Sequence, residues 1–259
     1  MTDILGATFR RSARIGGAVG ATIAQLVEYL ARSRFLAPAG QKELLTRSVK
    51  RYGKTLADTL RVERVTAGAF SQGARGRLVV ANHRSAIDIP ILLELTGGHM
   101  VSKSDVANWP LLGLAATRAG TIYVDRSDSL SGVAAIRVMR TLLSDGDTVC
   151  IFPEGTTFAG DEVQPFHPGS FLAALRTNAE IVPVGIAYEE NSGAEFLNES
   201  FGNHVLRICN RGPKRAAIFI GSPIVVGEKA RAARLAEQTQ IAVQEAVNRA
   251  RALVRDLKI

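Results

Sequence analysis

From residue 76 onward, short apolar and β-branched runs alternate with stretches whose apolar positions recur at helical spacing. Short apolar runs bounded by turn residues predict strands, and the helical spacing predicts amphipathic helices. Strands are therefore expected near 77–81, 99–102, 120–124, 148–152, 181–187 and 216–220. Helices are expected near 86–96, 111–119, 130–144 and 168–178, with a long one over 229–257. Such alternation predicts an α/β fold with a largely parallel central sheet flanked by helices.

The front of the chain has a different pattern. Ile15, Val19, Ile23, Leu26, Val27 and Leu30 fall at helical spacing, with Gln25 and Glu28 on other faces. After a break at Pro38-Ala39-Gly40, Leu45, Val49, Tyr52, Leu56 and Leu60 make a second stripe. Residues 1–64 thus read as an amphipathic two-helix appendage, and residues 65–259 as the α/β domain. The first run is polar-interrupted and shorter than the ~20 apolar residues a membrane span needs. Glu28 and the lack of a cleavage site argue against a secretory signal.

Charge sharpens the reading of this appendage. The net charge is +8, and residues 1–64 carry 12 Lys/Arg against 5 Asp/Glu, a net +7. Arg10, Arg11 and Arg14 precede the first stripe, and Lys42, Arg47, Lys50, Arg51 and Lys54 flank the second. A polyanion is the expected partner. Aromatic residues make up only 6% and the stripes are continuous, which suits an anionic membrane surface better than nucleic acid. Two helices docked on the main domain, with their charges in water, would have the same pattern.

The composition excludes several function classes. With 259 residues, 46% of them hydrophobic, the chain can bury a large core. Cys150 and Cys209 make no disulfide framework, which suits a reducing compartment, and four dispersed histidines give no metal-ligand spacing. There is no Gly-x-Ser-x-Gly elbow and no nucleotide-binding glycine loop.

Candidate chemistry lies where strands end, because ligands of open α/β sheets bind outside the carboxyl ends of the strands. Four expected strands run into polar residues: Asn82-His83, Lys103, Asp125-Arg126 and Pro153-Glu154-Gly155-Thr156. Regular structure separates His83 from Asp88, five residues later, but a turn can fold the carboxylate back onto the imidazole. A His–carboxylate pair is equipped for general-base catalysis. Alternatively, Ser85-x-x-Asp88 is a capping box for the next helix, with Pro90 in its first turn.

In chain order, Asn82-His83-x-x-x-x-Asp88, Gly120-Thr-Ile-Tyr-Val-Asp-Arg126, Phe152-Pro-Glu-Gly-Thr156 and Ile181-Val-Pro-Val184 resemble the glycerolipid acyltransferases typified by lysophosphatidate acyltransferase. The resemblance spans roughly residues 75–190. It implies transfer of an acyl chain from acyl-CoA or acyl carrier protein, as co-substrate, to the hydroxyl of a lyso-lipid of lysophosphatidate type, without cofactor, metal or covalent enzyme intermediate. It casts His83 as the base and Asp88 as its orienter. Arg126 becomes an acceptor-binding residue, Glu154, Gly155 and Thr156 the acceptor loop, and Val182, Pro183 and Val184 an acyl-site segment. Asn82 and Lys103 join the binding set from their strand ends. Each also has a simpler reading: Arg126 in a surface cluster, Pro153-Glu154-Gly155 as a turn, Val182 to Val184 as core.

Position 157 departs from the family's usual Glu-Gly-Thr-Arg, because it is Thr157. A hydroxyl cannot replace an arginine's bidentate grip on phosphate. Either Lys103, Arg126 or His167, which stands where the family often carries a lysine, holds the phosphate, or the acceptor has no terminal phosphate. Glu-Gly-Thr-Thr resembles relatives that acylate lyso-ornithine lipid. The overall expectation is a peripheral membrane enzyme on the cytoplasmic face; a lipid-binding module without the chemistry is the alternative.

Overall fold

A computed structural model describes residues 2–73 and 75–257. Two helices lead, α1 (Thr2–Ser33) and α2 (Pro38–Thr59), and an eight-stranded sheet follows. Its strands are β1 (Val62–Ala67), β2 (Arg77–Ala81), β3 (His99–Lys103), β4 (Ile122–Val124), β5 (Thr148–Ile151), β6 (Glu180–Tyr188), β7 (Lys214–Ile220) and β8 (Ile224–Val225). The order is β1-β7-β6-β2-β5-β3-β4, with β8 added to β6. From β6 through β2, β5 and β3 to β4, every neighbouring pair is parallel. β7 runs antiparallel to β6 and parallel to β1. The remaining helices are α3 (Asp88–Thr96), α4 (Leu112–Arg118), α5 (Ser129–Ser144), α6 (Phe201–Asn210) and α7 (Ala232–Asp256).

Both faces of the sheet are covered, so its central strands are continuously apolar. Val79, Ala81, Val182 and Val184 pack with Val49 and Ala57 of α2 and Ile91 and Leu92 of α3. Leu78, Val80 and Ile181 point the other way, toward Met139 and Leu143 of α5 and Val243 and Val247 of α7. The α2–α3 crossing depends on Gly53: a β-carbon there would lie 2.5 Å from the Pro90 carbonyl oxygen and 2.4 Å from the Glu94 nitrogen.

The two leading helices use their apolar stripes differently. α2 is docked, with Leu44, Val49, Gly53 and Ala57 buried. α1 turns Arg14 and Thr22 inward and Val19, Ile23 and Val27 outward, while Ile15, Leu26 and Leu30 of the same stripe are half-buried. Arg14 and Thr22 are 7% and 5% exposed, against 44%, 48% and 60% for Val19, Ile23 and Val27. Thr22 bonds the Tyr52 hydroxyl at 2.9 Å, Gln25 donates to Thr55 at 3.0 Å, and Arg51 grips Glu28 at 2.6 and 3.1 Å. Arg14 reaches the carbonyls of Cys209 and Arg211 at the end of α6, where helix dipoles favour a cation. Arg14 is thus an internal link rather than a member of the exposed basic set.

The expected helix over 168–178 is instead a short 3-10 turn, Pro168–Phe171, followed by further turns. Phe171, Ala173 and Ala174 of this segment are all fully buried. β1 and α6 were not anticipated. β1 lies across position 64, within the run read as the end of the appendage, and is paired along its length with β7.

Candidate active site

The parallel order β2-β5-β3-β4 brings the four polar strand ends to one edge of the sheet. His83 leaves β2 at the centre of that edge, its ring stacked on Phe152 from β5 at 4.0 Å between centroids. His83 Nδ1 lies 2.8 Å from Asp88 Oδ2, so the turn between β2 and α3 closes the pair. The same Oδ2 accepts the backbone N–H groups of Arg84 at 2.6 Å and Ser85 at 2.8 Å. Tyr188, at the end of β6, donates its hydroxyl to Oδ1 at 2.5 Å. Burial, with Asp88 beside it, pushes the Tyr188 phenol well above its ordinary range, so it stays a donor.

These contacts serve both readings of Asp88: its carboxylate takes the Ser85 N–H while Ser85 Oγ takes the Ile87 N–H at 3.2 Å, as in a capping box, and the same carboxylate holds His83. An oxygen that already accepts two backbone N–H groups faces an Nδ1–H, which fixes the tautomer and leaves Nε2 as the basic nitrogen. Nε2 makes no hydrogen bond among the described residues, and the His83 side chain is 17% exposed, against 0% for Asp88.

Asn82 and Glu154 face inward. The Asn82 amide donates to the Ile186 carbonyl at 2.9 Å and accepts its N–H at 2.8 Å, which ties the end of β2 to β6. Glu154 Oε2 accepts the His83 N–H and Arg84 Nη1, each at 2.8 Å. Its Oε1 accepts Arg84 Nη2 and the Gln164 N–H, each at 3.0 Å. Arg84 is 1% exposed and also bonds the carbonyls of His83, Gly160 and Glu162. This buried ion pair holds the loop beneath His83, and its carboxylate is turned away from the crevice.

The cations sit on the other flank of His83. The exposed Arg126 side chain follows β4 and donates to the Gly155 carbonyl. Gly155 has φ +79°, and a β-carbon there would lie 3.0 Å from His167 Nε2 and 3.7 Å from Arg126 Nη1. Arg126, Gly155 and His167 therefore form one cluster. Thr156 is exposed, Thr157 half-buried, and Phe158 donates its N–H to the His83 carbonyl at 3.0 Å. Lys103 is exposed at the end of β3. Val182, Pro183 and Val184 are buried in β6, the two valines in the core against α2 and α3.

Sequence reading passes over Arg84 and Tyr188 and takes His204 as structural, without a partner pattern. Arg84 carries little signal, because it stands among the polar residues Asn82, His83 and Ser85 of a strand end. Tyr188 and His204 have none, because Asp88 and Ala86, which they meet at the site, lie about a hundred residues away in the chain.

Over 168 residues the chain is 33% identical to the lyso-ornithine lipid O-acyltransferase of Pseudomonas aeruginosa, covering 62% of this chain and 65% of that one. Over 170 residues it is 26% identical to the 1-acyl-sn-glycerol-3-phosphate acyltransferase of Neisseria meningitidis, covering 66% and 67%. The match thus spans about two thirds of the length of these relatives. The crystal structure of the 1-acyl-sn-glycerophosphate (LPA) acyltransferase PlsC from Thermotoga maritima superposes with a TM-score of 0.79 at 19% identity. That match covers 96% of this chain and 98% of the other, and it shows a shared fold. The family model described as Acyltransferase matches residues 55–187, just over half the chain and the whole stretch from His83 to Val184, so the protein belongs to the acyltransferase family.

Proposed function

We propose that the protein is an O-acyltransferase that moves an acyl chain from acyl-CoA or acyl carrier protein to the hydroxyl of a lyso-lipid, with His83 as general base. The observation that carries this reading is the His83–Asp88 pair at 2.8 Å, with Nε2 unpartnered at the carboxyl edge of the parallel strands. The acceptor hydroxyl gives its proton to Nε2 as its oxygen attacks the thioester carbonyl carbon. Asp88 stabilises the imidazolium through Nδ1–H. Collapse of the tetrahedral adduct forms the ester, breaks the C–S bond and expels the thiolate, which takes the proton from Nε2.

Arg126 supplies the positive end of the acceptor site, with His167 beside it and Lys103 on the same edge. Thr157, in place of an arginine, favours an acceptor without a terminal phosphomonoester. The similarity to a lyso-ornithine lipid acyltransferase supports that preference. Lysophosphatidate is the second acceptor to consider, because the Arg126 guanidinium beside His167 still presents a cationic donor.

The enzyme works as a peripheral protein on an anionic membrane, on its cytoplasmic leaflet. The support is α1, whose outward Val19, Ile23 and Val27 continue to Phe35, 88% exposed, at the turn before α2. Among the described residues no helix is long and apolar enough to cross a membrane. The apolar stripe with flanking cations suits a helix lying in the interface.

The test is acyl transfer from labelled acyl-CoA and acyl carrier protein to lysophosphatidate, lyso-ornithine lipid and other lysophospholipids in anionic vesicles. Lyso-ornithine product exceeding lysophosphatidate product supports the acceptor reading. No product from any pair, with folded and vesicle-bound protein, leaves a lipid-binding module that lacks the chemistry.

A further inference from the structure

The turn that carries His83 is held from behind by a second histidine. His204, on α6, is fully buried, and its Nε2 lies 3.1 Å from the Ala86 nitrogen and 3.2 Å from Ser85 Oγ. Its Nδ1 lies 3.1 Å from Glu199 Oε1, and its ring stacks on Phe196 at 4.2 Å. Phe196 in turn donates its N–H to the Arg84 carbonyl at 2.8 Å. The segment 84–86 is therefore contacted by the imidazole and by the residue stacked on it.

The connectivity Ser85–His204–Glu199 has the order of a hydrolytic triad, but the protons exclude that role. An amide N–H can only donate, so Nε2 of His204 accepts from Ala86 and the ring proton sits on Nδ1, facing Glu199. Arg207 Nη2 also lies 3.0 Å from Nδ1, yet both are donors in this tautomer, and both converge on Glu199 Oε1. The one Ser85 hydroxyl proton goes to the Ala194 carbonyl at 2.7 Å. Ser85 is fully buried, with no base free to activate it. What remains is a rigid acceptor fixed by an ion pair and aimed at the backbone of the turn. Burial holds the imidazole below its ordinary range, which keeps it neutral and able to accept.

We propose that His204 is a positioning residue for acyl transfer: by holding the Ala86 N–H, it fixes the turn whose Arg84 and Ser85 N–H groups aim Asp88 Oδ2 at His83. This rests on the reading of His83 as the base. A shift of about 1 Å in a catalytic group lowers rate as much as 10²-fold, so the effect falls on kcat rather than on substrate binding.

The test compares His204→Phe, which keeps the stacked ring but has no acceptor, with His204→Gln, whose side-chain oxygen can take the place of Nε2. The Phe variant is expected to lose at least about tenfold in kcat, with KM for donor and acceptor within about twofold, and the Gln variant to recover most of it. His204→Asn, too short to reach Ala86, substitutes for Phe if that variant does not fold. The downfield Nδ1–H proton resonance of His83, identified by its loss in His83→Ala, is expected to move in the Phe or Asn variant and to return in Gln. An unchanged kcat in the variants without an acceptor overturns the proposal. So does an equal loss in all variants with an unmoved resonance, which is what loosened packing alone would give. If the wild type transfers no acyl group, the reading of His83 as base fails, and the resonance alone decides the positioning role.

Discussion

Replacing Glu154 by Gln separates a residue that grips substrate from one that builds the site. Four donors converge on its buried carboxylate, two on each oxygen: His83 N–H and Arg84 Nη1 on Oε2, Arg84 Nη2 and Gln164 N–H on Oε1. A glutamine amide has one oxygen, so whichever way it is placed, two donors meet an NH2 group instead. Hydrogen bonds to a charged partner contribute about 1.5–3 kcal/mol each, giving about 3–6 kcal/mol for the two. That agrees with the roughly 3–5 kcal/mol for breaking a buried ion pair from one side. The carbonyls of His83, Gly160 and Glu162 still hold Arg84 and place the expectation toward the lower end. The corresponding fall in Tm is about 6–20 °C for a chain of this size. Urea and thermal unfolding measure the stability, and initial rates measured well below the new midpoint measure catalysis. We expect a destabilised Glu154→Gln variant whose acceptor KM stays within about twofold. An unchanged midpoint with a raised acceptor KM would refute this reasoning and place the Glu154 carboxylate in the acceptor site.

Three further outcomes follow from the geometry. Replacing Val19, Ile23 and Val27 together by Ser removes about 1 kcal/mol of interfacial burial per side chain, so partition onto anionic vesicles should weaken on the order of 10²-fold in sedimentation assays. High salt should release part of the wild type as well, and binding indifferent to both changes would exclude α1 as the anchor. Thr157→Arg should shift acceptor preference toward lysophosphatidate in a competition assay, because it restores a bidentate phosphate donor beside the Arg126–Gly155–His167 cluster; an unmoved ratio would show that position 157 does not read the head group. His204 has a pKa lowered below its ordinary 6.5 by burial, so below that pH the unfolded chain binds a proton that the folded chain refuses. Its stabilising contribution is complete above pH 6.5 and lost as pH falls through the depressed folded value. Unfolding midpoints measured from pH 7 downward should therefore decline less steeply for His204→Gln than for the wild type.

The parts of the fold that could be read in advance are those governed by local periodicity. β2 to β7 fall within a few residues of the expected runs, the central ones because strands buried on both faces are continuously apolar over short lengths. The convergence of the polar strand ends was also legible, as a consequence of parallel order. Long-range pairing was not. Tyr188 meets Asp88 across 100 residues, Asn82 meets Ile186 across 104 and His204 meets Ala86 across 118, and nothing in a local window specifies such partners. Glu154 was legible as a loop residue, but the direction of its carboxylate depended on Arg84, a buried cation within the His83-to-Asp88 turn. The stripe on α1 was visible, while the outward orientation of Val19, Ile23 and Val27 emerged only once Thr22, Gln25 and Glu28 had found Tyr52, Thr55 and Arg51 on α2.

The central claim is that His83 removes the proton from the acceptor hydroxyl. The measurement that tests it most directly is the initial rate of labelled acyl transfer by wild type and His83→Ala on the same anionic vesicles, with the bound fraction of each determined in parallel. The account predicts equal vesicle binding and a fall in rate of about 10²–10⁴-fold. Equal binding with an undiminished rate would contradict it.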